Sequence, residues 1–412
     1  MMFGRVPGRG GAAAAVAAPL AWACAVCWAA GPAGEELPAA KRLRKCPSRY
    51  YILYTDLGED VAKEASARMT AMAEEYRRRT REFAGTIRTR FAFYLFARPA
   101  DYHQAGGPAG SGGIYHPDKR ALMAVADGGV DDRLWHVVQH EAFHQFADLV
   151  IGGKLPLWIN EGLAEYFAQG LWTGDGFLTG VIPPFRLKRL QEHLRAGRTR
   201  PFADMFRLTP EQWGEDLADR TTRPAEEHTR ARVNYDQAWS MVHFLVFADD
   251  GKYRAAFSGL IRDTARGGDW AEAFQRRFGR NVRPFEDRYR QWWLSQKPDA
   301  TADLYTEAVV ATMTSYLARS AAQGQQFASA EDFLREARSG RLKAHAAQWL
   351  PAGLLNEALL HARLWREAWS IDNSGRVPRL LLKWPTGTVY TGTFTCSQGK
   401  CSQVKVTVVR AG

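Results

Sequence analysis

His140-Glu141-Ala142-Phe143-His144 places two imidazoles four residues apart, with a carboxylate directly after the first. On an α-helix, positions four apart share one face a turn from each other, so both rings can reach a single ion. Glu141 falls one step round the helix, near enough to touch water at that ion without ligating it. A second run, Leu157-Trp158-Ile159-Asn160-Glu161-Gly162-Leu163-Ala164-Glu165-Tyr166, follows after a short connection. Glu161 can complete a two-histidine, one-glutamate donor set with a fourth position left to water, as a catalytic zinc site requires. Glu165, one turn further on, can accept the outer N–H of a ligating histidine and fix its tautomer. His136 lies four before His140 on the same face, but three protein ligands plus water leave it no coordination role. His228 and His243 have no ligand spacing. The glycine-rich stretch Gly106–Gly113 lacks the lysine of a phosphate-binding loop, and there is no Gly-x-Ser-x-Gly elbow for a serine hydrolase.

The elements that must hold these groups are legible from periodicity. Tyr50–Tyr54, Phe91–Phe96 and Ala121–Ala126 are short apolar runs and predict strands. Val61, Ala65, Met69, Met72 and Tyr76 recur at helical spacing and predict a helix of about 25 residues. His116-Pro117-Asp118-Lys119 predicts a turn between Ile114-Tyr115 and the third strand. Asp131 and Asp132 open a helix reaching about Val150, and a further helix covers Ile159–Gln169. Residues 180–295 read mainly helical, Lys297-Pro298-Asp299 marks a boundary, and Leu380–Val409 reads as β-rich. The expectation is an α+β fold of five parts: a leader at 1–30, a basic linker at 31–45, a site-bearing domain at 46–295, a helical extension at 299–370 and a β-rich tail at 376–412.

With these residues quoted, the chain resembles the gluzincin metallopeptidases, the clan of thermolysin and aminopeptidase N. The closest likeness is to the peptidase MA-like branch and its exported bacterial members, many known only as domains of unknown function. The likeness covers about residues 46–295 and is most specific at His140–His144 and Trp158–Gly162. It implies a zincin-like domain: a small mixed sheet with an edge hairpin, the metal-binding helix, then a helical subdomain, here followed by a helical and β-hairpin extension. It also implies a zinc-dependent hydrolase of peptide or protein substrates, with His140, His144 and Glu161 as zinc ligands and Glu141 as general base. Tyr235, in Asn234-Tyr235-Asp236-Gln237-Ala238-Trp239, matches by position the tyrosine that steadies the oxyanion. Aminopeptidase-type members hold the substrate amine with an acid on an edge strand. The corresponding Gly112-Gly113-Ile114-Tyr115-His116 has none. A gluzincin-fold binding or envelope-associated module with weak or lost catalysis is the alternative expectation.

Composition bounds the remainder. Of 412 residues 46% are hydrophobic, with 14 Trp, 21 Phe and 14 Tyr, which excludes a disordered chain. The formal charge of +11 is dispersed, apart from Lys41–Lys45 and Arg77-Arg78-Arg79. Neither run is interleaved with aromatics, so a solvated surface is expected and no nucleic-acid partner. Arg5 and Arg9 precede an uncharged, alanine-rich stretch, Gly11–Ala30, which reads as a secretory signal cleaved near residue 30, an uncleaved anchor being the rival. No later segment is apolar and long enough to span a membrane. A periplasmic, envelope or secreted location follows. Beyond the leader stand Cys46, Cys396 and Cys401. An oxidising compartment predicts a Cys396–Cys401 bridge across a hairpin, leaving Cys46 unpaired; two free tail thiols are the alternative.

Overall fold

The computed structural model describes residues 37–152, 155–222, 229–363, 368–397 and 400–410. The expected leader, His228 and the Gln398-Gly399 turn lie outside these residues. The fold is α+β, as the sequence predicts. A five-stranded mixed sheet has the order β1-β2-β3-β5-β4, from β1 (Arg44–Pro47), β2 (Tyr51–Thr55), β3 (Phe91–Phe96), β4 (Gly113–His116) and β5 (Ala121–Val125). The central β2, β3 and β5 run parallel and are apolar on both faces, because both are covered. The helices α1 (Glu59–Thr80) and α3 (Asp132–Phe146) pack on one face. The short α2 (Pro99–Gln104), Leu37 and Tyr102 pack on the other, where the Tyr54 and Tyr94 rings stack 4.7 Å apart.

Both edges are antiparallel. β1 pairs with β2 and carries Arg44 and Lys45, residues of the expected basic linker, largely exposed. Charged side chains suit a sheet edge because they discourage pairing with another chain. β4 pairs with β5 alone and is the edge nearest α3.

α3 begins at Asp131, whose side chain accepts the N–H groups of Arg133 and Leu134. It closes through one π-helical turn, Ala147–Ile151, and stops at Gly152, whose φ of 71° suits glycine. α4 (Leu157–Ala168) then lies alongside α3. The two-stranded β6 (Leu171–Trp172) and β7 (Phe177–Leu178) leads into α5 (Pro184–Arg195), α6 (Phe202–Arg207) and α7 (Pro210–Thr222). α8 (Arg230–Gly251), α9 (Arg254–Ala265), α10 (Trp270–Phe278) and α11 (Arg283–Ser295) complete the helical portion. α8 crosses α4 at Gly162, where an added Cβ would strike the Ala238 carbonyl oxygen. That glycine therefore sets how closely the two helices approach.

Past Pro298 come α12 (Ala302–Ala322), α13 (Ala330–Arg338) and α14 (Ala352–Ala362). A four-stranded antiparallel sheet ends the chain, in the order β11-β10-β9-β8. Its strands are β8 (Trp369–Asp372), β9 (Arg379–Lys383), β10 (Val389–Ser397) and β11 (Lys400–Val409). α12 lies across this sheet, and β10 passes it at Gly392, where a Cβ would collide with Thr314. Cys396 and Cys401 face each other across β10 and β11 and are disulfide-bonded, while Cys46 is a free thiol. One cluster of buried apolar side chains runs from Tyr51 and Met72 through Trp158 and Trp239 to Val310 and Leu382. Among the described residues, no helix is long and apolar enough to cross a membrane.

Candidate metal centre

α3 and α4 bring His140, His144 and Glu161 together. All three are buried, at 0%, 8% and 0% relative exposure. His140 Nε2 lies 3.1 Å from His144 Nε2 and 3.3 Å from Glu161 Oε2, and His144 Nε2 lies 3.6 Å from the same oxygen. Three donors about 2.1 Å from one tetrahedral ion would stand about 3.4 Å from each other. The observed triangle straddles that value, so the donor set fits a zinc-sized cation. Among the described residues this is the group of side chains that could hold a metal.

The electrostatics agree with that fit. Burial alone would lower the His140 pKa, but hydrogen bonds to Glu161 and Glu165 and the negative charge of Glu165 and Glu141 override it, holding it up at about 10. Burial would raise Glu161, yet the two histidines beside it bring it down to about 2. The pocket therefore collects negative charge at a point that demands a cation, a proton in the absence of a metal.

Behind the donors runs a chain of buried charge. Glu165 Oε1 lies 3.2 Å from His140 Nδ1, leaving that ring's Nε2 turned to the other donors. Glu165 Oε2 accepts from Arg186 Nη1 at 2.5 Å, and Arg186 Nε lies 2.9 Å from Asp236 Oδ1. Arg189 grips Asp236 through two hydrogen bonds of 2.6 and 2.8 Å. The Arg186 guanidinium also lies over the Trp239 ring at 4.5 Å and donates to the Tyr235 carbonyl at 3.2 Å. Burial would raise the Glu165 and Asp236 carboxyls; the arginines and histidines around them instead hold Glu165 well below the usual range and Asp236 at about 2. This chain ties α5 and α8 to the histidine of α3.

Glu141 is buried next to the donor set, and its Oε2 accepts the Tyr115 backbone N–H of edge strand β4 at 2.8 Å. Burial raises its pKa, against the lowering pull of His140, His144 and that N–H. The Tyr115 hydroxyl in turn donates to Asp148 on the π-helical turn. The Tyr235 ring meets His140 edge-on at 6.0 Å and packs against Trp213 at 4.9 Å. His136 is half-buried, with Nε2 3.8 Å from Glu165 Oε2, outside the donor triangle. His243 lies apart, Nε2 bonded to the Gly180 carbonyl at 3.0 Å. Arg186 and Asp236 are the members that sequence reasoning missed. Asp236 carried a signal, an acid directly before the buried Gln237-Ala238-Trp239 run of α8; Arg186 carried none.

Comparison with curated proteins finds no match. Residues 136–266, from His136 in α3 to the end of α9, match a family described as "Protein of unknown function (DUF1570)".

Proposed function

We propose that this chain is a zinc-dependent hydrolase of peptide bonds, of the gluzincin type, working outside the cytoplasm. The observation that carries the reading is the convergence of His140 Nε2, His144 Nε2 and Glu161 Oε2 beside a buried Glu141 tethered to the edge strand β4. His140, His144 and Glu161 would hold the ion, which when bound acidifies water and polarises a carbonyl. Glu141 takes the proton from the attacking water and passes it to the departing amine nitrogen, so the carboxylate ends as it began. Its raised pKa suits a group that must both accept and return a proton. Glu165, anchored by Arg186, keeps His140 in one tautomer and orientation. Tyr235 on α8, whose ring meets that of His140, would steady the negative oxygen that develops on the carbonyl. An extended peptide can add alongside β4 through backbone hydrogen bonds. Gly113–His116 offers no carboxylate for a substrate amine, which supports cleavage that is not anchored at a free N-terminus.

Unstructured protein substrates, incubated with and without a metal chelator, test the reading. Cleavage should occur, cease with chelator and be absent in Glu141→Gln. No cleavage of any substrate by zinc-loaded protein would favour the binding-module alternative.

A further inference from the structure

Between α3 and β6 on one side and α12 and α14 on the other lies a chamber of about 710 Å³. Its apolar walls are Trp135, Trp172, Phe185, Tyr305, Val309 and Leu354. A smaller hollow of about 330 Å³ is lined by Glu165 and Tyr235, which meet His140, and by charged Arg186, Arg189 and Asp236. The two share Asp132, His136, Gln169 and Phe185 as wall residues, so they lie side by side at α3 and the start of α5. Phe185 stands at this junction 66% exposed. Its ring, with the Arg189 guanidinium 5.9 Å away, adds an apolar side to the mouth of a hollow of ligand-binding size.

The charge around the chamber narrows what covers it. Arg68 lies between the Trp135 and Trp172 rings at 4.7 and 4.5 Å and is matched by Glu64 at 3.1 Å. That cation is thereby neutralised and both indoles are braced. Besides Arg68, the lining carries three acids, Asp132, Asp299 and Glu357, with two histidines, His136 and His361, a balance unfavourable to an anion such as a fatty-acid carboxylate. An uncharged, bulky side chain on a polypeptide meets no such penalty.

We propose that this chamber receives a large apolar side chain of the polypeptide substrate, away from the bond being cut, so that α12 and α14 set specificity. The inference rests on the peptide-hydrolase reading and gives the C-terminal helices a part in it.

The test uses full-length Glu141→Gln protein and calorimetric titration with capped hexapeptides of alanine and serine, with and without one phenylalanine. Burying a phenylalanine side chain predicts binding about ten- to a hundredfold tighter than for the all-small peptide. Two plugs, Ala302→Trp on the exposed rim and Val309→Trp in the wall, should each erase that advantage while leaving the melting temperature near that of the parent. Having two plugs at different depths keeps the test decisive if one fails to fold. Equal affinities in the parent, no binding of either peptide, an advantage that survives the plugs, or decanoate binding more tightly than the phenylalanine peptide would each overturn the proposal. Because binding is read without turnover, absent hydrolysis in the wild-type protein would sink the enzyme reading and leave this result standing.

Discussion

Around α3, α4, α5 and α8 the buried polar side chains include many ionisable ones: His140, Glu141, His144, Glu161, Glu165, Arg186 and Asp236. Along α12 they are mostly hydroxyls, and three of these bond to nearby backbone: Thr306 to the Ala302 carbonyl, Thr314 to that of Val310, Ser315 to that of Thr173. Packing accounts for the second region, because a hydroxyl satisfied by a carbonyl costs little to bury. It does not account for the first. Several ionised groups in an apolar interior carry a desolvation penalty of several kcal/mol per ion, and apolar side chains of similar volume would be at least as stable. Such a cluster makes physical sense where its charges hold a ligand or move a proton. The proposed chemistry falls in the first region; the second frames the chamber beside it.

The comparison breaks most visibly at Glu141. Glu141→Gln should lower hydrolysis by about a hundred- to ten-thousandfold while leaving zinc content unchanged, measured by turnover of a cleaved peptide alongside elemental analysis. Retained turnover would remove the general base from the account.

The two buried arginines sharpen it next. Arg186 faces two buried carboxylates, whereas Arg319 on α12 pairs with the partly exposed Asp175 and donates to the Gln348 and Ser315 carbonyls. Urea denaturation should show Arg186→Met costing about 3–5 kcal/mol and Arg319→Met about 1–3 kcal/mol. Equal costs would mean that the chain of charge behind His140 is ordinary packing.

The site-bearing region should also be the more pH-sensitive. Burial depresses the His243 pKa from 6.5 to about 4. Above pH 6.5 both folded and unfolded chains keep this ring neutral, and its contribution to stability is complete. As pH falls from 6.5 towards 4 the unfolded chain takes up a proton that the folded chain refuses, so stability declines, by about 3 kcal/mol in total. His243→Gln should flatten that part of a stability-against-pH curve. An unchanged slope would show that other groups govern it.

The smallest effect is expected in the tail. Cys396 and Cys401 close so short a loop that Cys396→Ser should cost about 2 kcal/mol, confined to β10 and β11, with zinc content unaltered. Hydrogen exchange that loosens in α3 or α4 instead would show that the regions are coupled through the tail.

What was legible in the sequence follows the same division. His140, His144 and Glu161 sit on consecutive helices, so helical spacing alone encodes most of the donor triangle, and Glu165 falls one turn beyond Glu161 for the same reason. Tyr235 came through a family resemblance, and the structure sets its ring against His140. The pairing of Arg186 with Asp236 was invisible because it depends on how α5 and α8 fold back on α4, which no local pattern records. The central strands were legible as apolar runs. β1 was not, since an exposed basic edge has no buried face to give alternation, and β8, only Trp369–Asp372, is too short to show a period.

Metal content tests the central claim most directly. Protein purified without added metal should carry one zinc per chain, and Glu161→Ala, which removes a donor and leaves both histidines in place, should carry far less. Wild-type protein without zinc, or Glu161→Ala with its zinc undiminished, would contradict the account.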